Sequence, residues 1–346
     1  MKVLKKIPGA IGAIQRHTKL LLPRVTIRRL ANLAVVGVEM LFRRSRPTSR
    51  PMVAKIEASS ACNLMCRGCR TGIPLVEYQP GNLSLEDFEV MLDKMGRYLF
   101  EVVFYIWGEP LLNKNLPELI KAAHRHNISV IISTNLHFLT EEMGERLLDA
   151  GLDKVIFCLD GWSQETYEQV RINGDFELAR SNIMRFIEQR RRRGTKKPYL
   201  EWQWVVTQNN RPELDRGKTA ARELGIEKFV ELVDWGNLLP EDERFFEGLK
   251  KVRQKQFSRT NRCFWLWSSI AIQYDGNVFP CCHVANKPYS ERIYGNIVKD
   301  DLATIWNGRQ YQHARQLVRS GWVDEETDVV CGQCYSPPIF IERPRS

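Results

Sequence analysis

The first fifty positions of this 346-residue chain lack a long apolar run, an export signal and nearly all aromatic residues, and each absence narrows what the chain can be. Leu30 to Phe42 are thirteen mostly apolar residues interrupted by Asn32 and Glu39, whereas about twenty are needed to span a bilayer. No small-residue cleavage site follows them, so a secretory signal is not expected. The rings on which unpaired bases stack are almost missing from the same segment, which makes nucleic acid the weakest partner for it. Histidine is scarce too. His124 is the nearest one downstream of the first cysteine group, so no mixed cysteine–histidine zinc set forms there. No internal repeat is present.

What is present is positive charge in one place. The chain carries a net +10, yet residues 1–50 hold twelve Lys/Arg and one Glu, a net +11, leaving −1 for the other 296 residues. At this length the chain exceeds one average domain. Its basic character belongs to an N-terminal arm, in which Arg28, Arg29, Arg43, Arg44 and Arg46 flank the apolar stretch. The arm is therefore expected to lie as an interfacial helix on an anionic membrane surface. An ordinary helix packed on the body of the protein is the alternative, with RNA binding behind it. Arg190 to Arg193, within Glu188 to Lys197, read as a solvated helix end.

Nine cysteines, an odd number, point to metal binding in a reducing, cytoplasmic setting rather than to a disulfide framework. Cys62, Cys66 and Cys69 share one loop, spaced x3 then x2. Three thiolates so spaced can hold three irons of a cubane and leave the fourth open, whereas structural zinc closes four ligands. Val53 to Ala58 form an expected first strand feeding that loop, and Ser84 to Leu99 a helix with Ser84 as N-cap and Asp87 at N3. Further strands are expected at Glu101 to Ile106, Ile128 to Ser133, Val155 to Leu159, Leu200 to Thr207 and Lys228 to Val233. Strands alternating with helices argue for a parallel α/β sheet with ligands at the carboxyl ends of its strands.

The C-x3-C-x2-C run resembles the radical S-adenosylmethionine (SAM) superfamily, and the likeness extends from about Met52 to Cys334. It implies an open (β/α)6 partial barrel in which Cys62, Cys66 and Cys69 hold a [4Fe–4S] cluster whose open iron chelates SAM. It also implies reductive cleavage of SAM to a 5′-deoxyadenosyl radical that takes a hydrogen atom from substrate. Trp107-Gly108-Glu109-Pro110 is similar to the family's Gly-Gly-Glu-Pro segment that binds the methionyl amine, with a tryptophan for the first glycine. Thr134 and Asn135 match residues near the SAM ribose, followed by Leu136 where glycine is usual. Asp160-Gly161 matches the family's Asp-Gly, and Cys158 stands where a serine would meet the SAM carboxylate, although a lone strand cysteine also reads as a small buried hydrophobe. Arg171 matches an arginine near that carboxylate; a solvated helix arginine is the alternative.

Cys263, Cys281, Cys331 and Cys334 form a second group, with Asp275-Gly276 as a hairpin turn between apolar flanks. Their spacing resembles the SPASM or Twitch region of radical SAM enzymes, with Gly295-Asn296-Ile297 and Ile305-Trp306-Asn307-Gly308 as further markers. This implies one auxiliary [4Fe–4S] cluster, since the remaining cysteines of a two-cluster SPASM are missing after Cys334. A four-cysteine zinc knuckle is the alternative. Cys282 is a possible substitute for Cys281, and His283 reads as a surface residue. The expected organisation is an arm over residues 1–50, a SAM core over 51–240, and a linker helix with the auxiliary module over 241–346. Glu201, Gln203 and Asp234 are candidate substrate contacts or proton-transfer groups and could equally be solvated polar residues or parts of a structural network, no residue being singled out as the catalytic acid or base.

A lipid, lipid-linked or small-molecule substrate is favoured by the arm, which is too short for the winged peptide-binding domain common in peptide maturases. A maturase is the second reading and a non-catalytic iron–sulfur protein the third. The family implies a flavodoxin or ferredoxin as electron donor, and the expected location is the cytoplasm, peripherally on the inner face of the membrane.

Overall fold

The computed structural model describes residues 22–66, 69, 79–233, 263–281, 293–320, 329 and 331. Asp234, the expected linker from Pro240 to Lys255, Cys282, His283 and Cys334 lie outside them.

All six expected strands form: β1 (Val53–Ile56), β2 (Glu101–Phe104), β3 (Ser129–Thr134), β4 (Lys154–Cys158), β5 (Tyr199–Val206) and β6 (Lys228–Val233). They pair in parallel in sequence order. An N-terminal helix α1 (Ile27–Leu41) precedes them. The crossovers are α2 (Leu85–Met95), α3 (Leu116–Arg125), α4 (Glu141–Asp149), α5 (Gln164–Val170) with α6 (Phe176–Arg192), and α7 (Leu214–Glu223). Alternation along the strands divides the packing. Ile56, Phe104, Ile132, Phe157 and Trp202 belong to the main core, while Val103, Ile131 and Ile156 form a separate small cluster on the opposite face.

Ser84 caps α2 as expected, accepting from Asp87 N at 3.0 Å and donating to Asp87 Oδ2 at 2.8 Å, a local arrangement that satisfies a free helix amide. The helix stops at Met95, short of Leu99, because Gly96 is its C-cap and the Gly96 carbonyl is taken by Arg29 Nη2 at 3.1 Å.

Two features depart from expectation. The C-terminal module does not merely follow the barrel: β7 (Ser269–Ile272) pairs in parallel with β1, Val53 opposite Ser269, and β8 (Val278–Phe279) returns antiparallel through a turn with Gly276 at φ +85°. The result is one eight-stranded sheet in the order β6-β5-β4-β3-β2-β1-β7-β8. Around it lie α8 (Trp265–Ser268), α9 (Leu302–Trp306) and α10 (Arg309–Ser320). Buried Arg315 donates to the carbonyls of Leu266, Trp306 and Ser45 and stacks on Trp306 and Tyr311, which ties the module to the chain leaving α1.

The second departure is Arg29. Expected at a lipid surface, it is instead 2% exposed and donates to the carbonyls of Arg24, Gly96, His126 and Asn127. Among the described residues no helix is long and apolar enough to cross a membrane.

Candidate SAM and iron–sulfur sites

The cysteine loop leaves the carboxyl end of β1. Cys66 is buried and Cys62 and Cys69 are half-buried. Cys62 Sγ accepts from Leu64 N at 3.4 Å and from Asn135 Nδ2 at 3.7 Å, and Cys66 Sγ accepts from Arg171 Nη1 at 3.7 Å. Burial pushes the Cys62 thiol up to about 12, with Glu109 and the neighbouring cysteines adding to it against the Leu64 amide. Such a group becomes a thiolate only when a cation takes the proton's place, and metal coordination does this.

Glu109 follows β2 and is fully buried. Its Oε1 accepts from Leu111 N at 3.0 Å and Thr134 Oγ1 at 2.7 Å, and its Oε2 from Asn135 N at 2.8 Å. Asn135 Nδ2 in turn donates to Asn63 Oδ1 at 2.9 Å as well as to Cys62. One chain of hydrogen bonds therefore joins the ends of β1, β2 and β3. Burial raises the Glu109 carboxyl to about 7, against bonds from Asn135, Thr134 and Leu111 and the charge of Arg171.

Glycine is required beside it. Gly108 has φ +74°, and a Cβ there would fall 2.0 Å from the Ser59 carbonyl, so the bend presses directly on the cysteine loop. Glu109 N completes the seam to Ala61 O at 2.8 Å. Pro110 is buried and opens the single 3-10 turn Pro110–Leu112. Trp107, in place of the family's glycine, packs edge-on against Phe279 of β8, with ring centroids 6.2 Å apart. Leu136, in place of the next expected glycine, has φ +75° and is fully buried.

Asp160 ends β4. Its Oδ2 accepts from Arg171 Nε at 2.6 Å and its Oδ1 from Val205 N at 2.6 Å. Burial disfavours the Arg171 cation, yet Asp160 and the nearby Cys66 and Cys158 thiols raise its pKa above the ordinary value. Arg171 is thus not a solvated helix arginine. Cys158 Sγ lies 3.7 Å from Ser133 Oγ.

Sequence reasoning missed Asn63, whose only signal was its place beside Cys62, and Tyr167. The Tyr167 ring stacks on His137 at 16° with centroids 6.4 Å apart. Its buried hydroxyl has no hydrogen-bond partner among the described residues, and the charges acting on it are those of Arg171, Asp160, Cys66 and Cys158. Donors aimed at sulfur, a buried carboxylate and an orphaned hydroxyl on one rim fit a cluster with a zwitterionic ligand.

Glu201 and Gln203 do not join this rim. Glu201 Oε2 pairs with Lys154 at 2.9 Å and Lys228 at 3.0 Å, and Gln203 donates to Glu201 Oε1 at 2.9 Å. Burial would raise the Glu201 carboxyl, but Lys154, Gln203 and Lys228 bring it down to about 2. It belongs to a closed charge network.

In the C-terminal module, Cys281 follows β8 and Cys331 is buried, with Tyr294 Oη 3.9 Å from Cys331 Sγ. Tyr294 and Tyr311 both feel Cys281 and Cys331, so these two thiols share one neighbourhood. Cys263 precedes α8 on the same module.

Residues 56–197 match the model of the radical SAM superfamily, and residues 263–335 that of an iron–sulfur cluster-binding domain, SPASM. Fe-coproporphyrin III synthase of Methanosarcina barkeri is 33% identical over 119 residues, which are 34% of this chain and 29% of that protein. Mycofactocin maturase MftC of Mycobacterium tuberculosis is 28% identical over 322 residues, 84% of this chain and 77% of that protein. The structure of Streptococcus suis SuiB bound to S-adenosylmethionine shares the fold, with a TM-score of 0.62 at 15% identity over 81% of this chain and 71% of that one.

Proposed function

The chain is a radical SAM enzyme with a C-terminal SPASM domain, and from this premise we propose that it cleaves SAM reductively and abstracts a hydrogen atom from an unactivated C–H bond of a lipid, lipid-linked or small-molecule substrate. The observation that carries the reading is the hydrogen-bonded chain Thr134–Glu109–Asn135–Cys62, which links the amine-binding motif to the cysteine loop.

In this reading Cys62, Cys66 and Cys69 hold the catalytic [4Fe–4S] cluster, and Cys263, Cys281, Cys331 and Cys334 hold one auxiliary [4Fe–4S] cluster. When bound together, the catalytic cluster and SAM supply the electron and the adenosyl carbon radical that takes the substrate hydrogen. The residues around them position and insulate. Glu109 receives the methionyl ammonium, a cation that compensates its buried charge. Thr134 and the Asn135 amide fix the orientation of that carboxylate, and the Gly108-Glu109-Pro110 bend sets its distance from the loop. Asp160 holds the Arg171 guanidinium toward the methionyl carboxylate, and the Tyr167 hydroxyl finds its missing partner there. Trp107 keeps the rim dry. Residues 51–240 form the SAM core, residues 241–346 the auxiliary module, and a flavodoxin or ferredoxin delivers the electron.

Anaerobic reconstitution with iron, sulfide, SAM and a strong reductant tests this. The expected product is 5′-deoxyadenosine, and its absence from a protein with its full complement of iron would refute the reading. The likeness to a mycofactocin maturase across most of the chain favours a second reading, a peptide maturase. A peptide consumed in step with 5′-deoxyadenosine would establish that alternative over a lipid.

A further inference from the structure

Helix α1 is docked by its polar side. Its buried residues are Arg29, Asn32, Val36 and Glu39, spaced to fall on one face. Beyond the four carbonyls held by Arg29, Asn32 exchanges two hydrogen bonds with the Arg50 backbone at 2.9 and 2.8 Å, and Glu39 accepts from Thr48 N, Thr48 Oγ1 and Ser49 N at 2.6 to 3.1 Å. The opposite face is left to apolar residues: Ile27 is 89% exposed, Leu30 48%, Leu33 45%, Val38 49%, Leu41 71% and Phe42 66%. From Ile27 to Phe42 the one exposed charge is Arg28. An ordinary surface helix has the reverse arrangement, and a contiguous apolar strip of this kind marks an interaction surface. Past Leu41 the helix borders a cleft of about 230 Å³ whose lining includes Gly37, Met40, Arg43, Trp267 and Val318 and also Cys263 of the auxiliary module.

The occupant is indicated by charge. Exposed Arg28, Arg44 and Arg46 bracket the strip, and residues 1–50 carry a net +11 against −1 elsewhere. A second copy of this chain would bring the same positive excess against itself. The strip is aliphatic, with a single ring at Phe42 and no Trp or Tyr of the kind that anchors protein interfaces. An aliphatic face with a basic border suits the boundary of an anionic bilayer, where a helix lies in the plane with its apolar side submerged and each nearby Lys or Arg adds attraction that salt screens.

We infer that α1 seats this protein on anionic lipid, with Leu30, Leu33, Val38, Leu41 and Phe42 entering the acyl boundary while Arg29, Asn32 and Glu39 hold the helix to the enzyme. The inference does not rest on the SAM chemistry, and either can fail without the other.

Flotation of the full-length protein with vesicles of phosphatidylcholine containing phosphatidylglycerol is the test. Binding is expected that weakens with added salt and is much lower on phosphatidylcholine alone. Leu30→Glu and Leu41→Glu change exposed side chains, so melting temperature and cluster absorbance should stay as in the wild type while each lowers vesicle binding about tenfold, by loss of one buried leucine. Phe42→Trp serves as an independent reporter, read as quenching by brominated acyl chains in excess of that of the wild type with its nine tryptophans. The inference is overturned by wild-type protein that fails to float at low salt, or by Glu variants that float as the wild type does. It is equally overturned if gel filtration shows a dimer that the Glu variants dissociate, which would give the face to a second copy.

Discussion

Cys62, Cys66 and Cys69 leave a single loop at the end of β1, whereas Cys263, Cys281 and Cys331 are separated by as many as 68 positions and depend on β7, β8 and the helices around them. The first group is supported from outside itself. Asn135 reaches Cys62 from the end of β3, Arg171 reaches Cys66 from beyond β4, and Gly108 presses the β2 bend against the loop. The second group sits among tyrosines, with Tyr294 at Cys331 and Tyr311 beside it, in a module tied to the barrel by the parallel β1–β7 pair, by Lys94 on the carbonyls of Ile297, Val298 and Asp300 and by Trp107 against Phe279, and to the chain leaving α1 by Arg315. A short loop supplies ligands cheaply but must be braced. A dispersed set needs the whole module in place first.

The difference is sharpest in the ligands themselves. Cys66→Ala removes one of three protein ligands and should abolish SAM cleavage, read as 5′-deoxyadenosine. Cys331→Ala acts at the other cluster and should leave uncoupled cleavage. Equal loss in both variants would break the distinction.

Gly108→Ala tests the bracing. Its Cβ would meet backbone, not a flexible side chain, at a left-handed φ that costs a non-glycine residue about 1–2 kcal/mol by itself. The loop must then move, so iron at the first site should fall well below that of the wild type while the second site stays loaded. Site-resolved Mössbauer or EPR spectra of the reconstituted variant check this.

Glu109 gives a pH signature. Its carboxyl is raised by burial to about 7, so without SAM the folded state holds a proton that the unfolded chain has released above its ordinary range near 4.3. Stability from this group is full below that range and is lost as pH rises through about 7, on the order of 3 kcal/mol in all. Glu109→Gln should therefore melt higher than the wild type at pH 8 in the absence of SAM, yet bind SAM at least about tenfold more weakly, an ionic hydrogen bond contributing about 1.5–3 kcal/mol. Wild-type SAM affinity should fall with each pH unit below 7. Calorimetry across pH 6 to 8 decides it, and equal melting temperatures at pH 8 would count against the buried charge.

The smallest effect is expected at Leu136. Leu136→Gly relieves a left-handed residue at a gain of about 1 kcal/mol but gives up a fully buried leucine, which contributes about 1.5–3 kcal/mol. Burial wins, so the variant should lose on the order of 1 kcal/mol in chemical denaturation with SAM cleavage retained.

How much of this was legible follows from range. The cysteine loop, the six strands and the Ser84 cap are written in adjacent residues, so spacing and periodicity found them. The bend at Gly108 was visible as a motif, although its reason, contact with Ser59, was not. The pairing of β7 with β1 joins Val53 to Ser269, a register across more than two hundred residues with no local signal. The apolar stretch between basic flanks likewise marked Leu30 to Phe42 as a helix without saying which side faces the protein; that depended on carbonyls at Gly96, His126 and Asn127 that only the fold presents to Arg29. The choice between a substrate contact and a structural network at Glu201 was open for the same reason, since Lys154 and Lys228, which make it a network, come from the neighbouring strands.

Iron and acid-labile sulfide on the anaerobically reconstituted chain test most directly whether the two cysteine groups are two clusters. The account predicts about eight of each per chain, four per cubane, falling to about four in Cys331→Ala with the SAM-responsive EPR signal retained. A wild-type value near four, or zinc in place of half the iron, would contradict it.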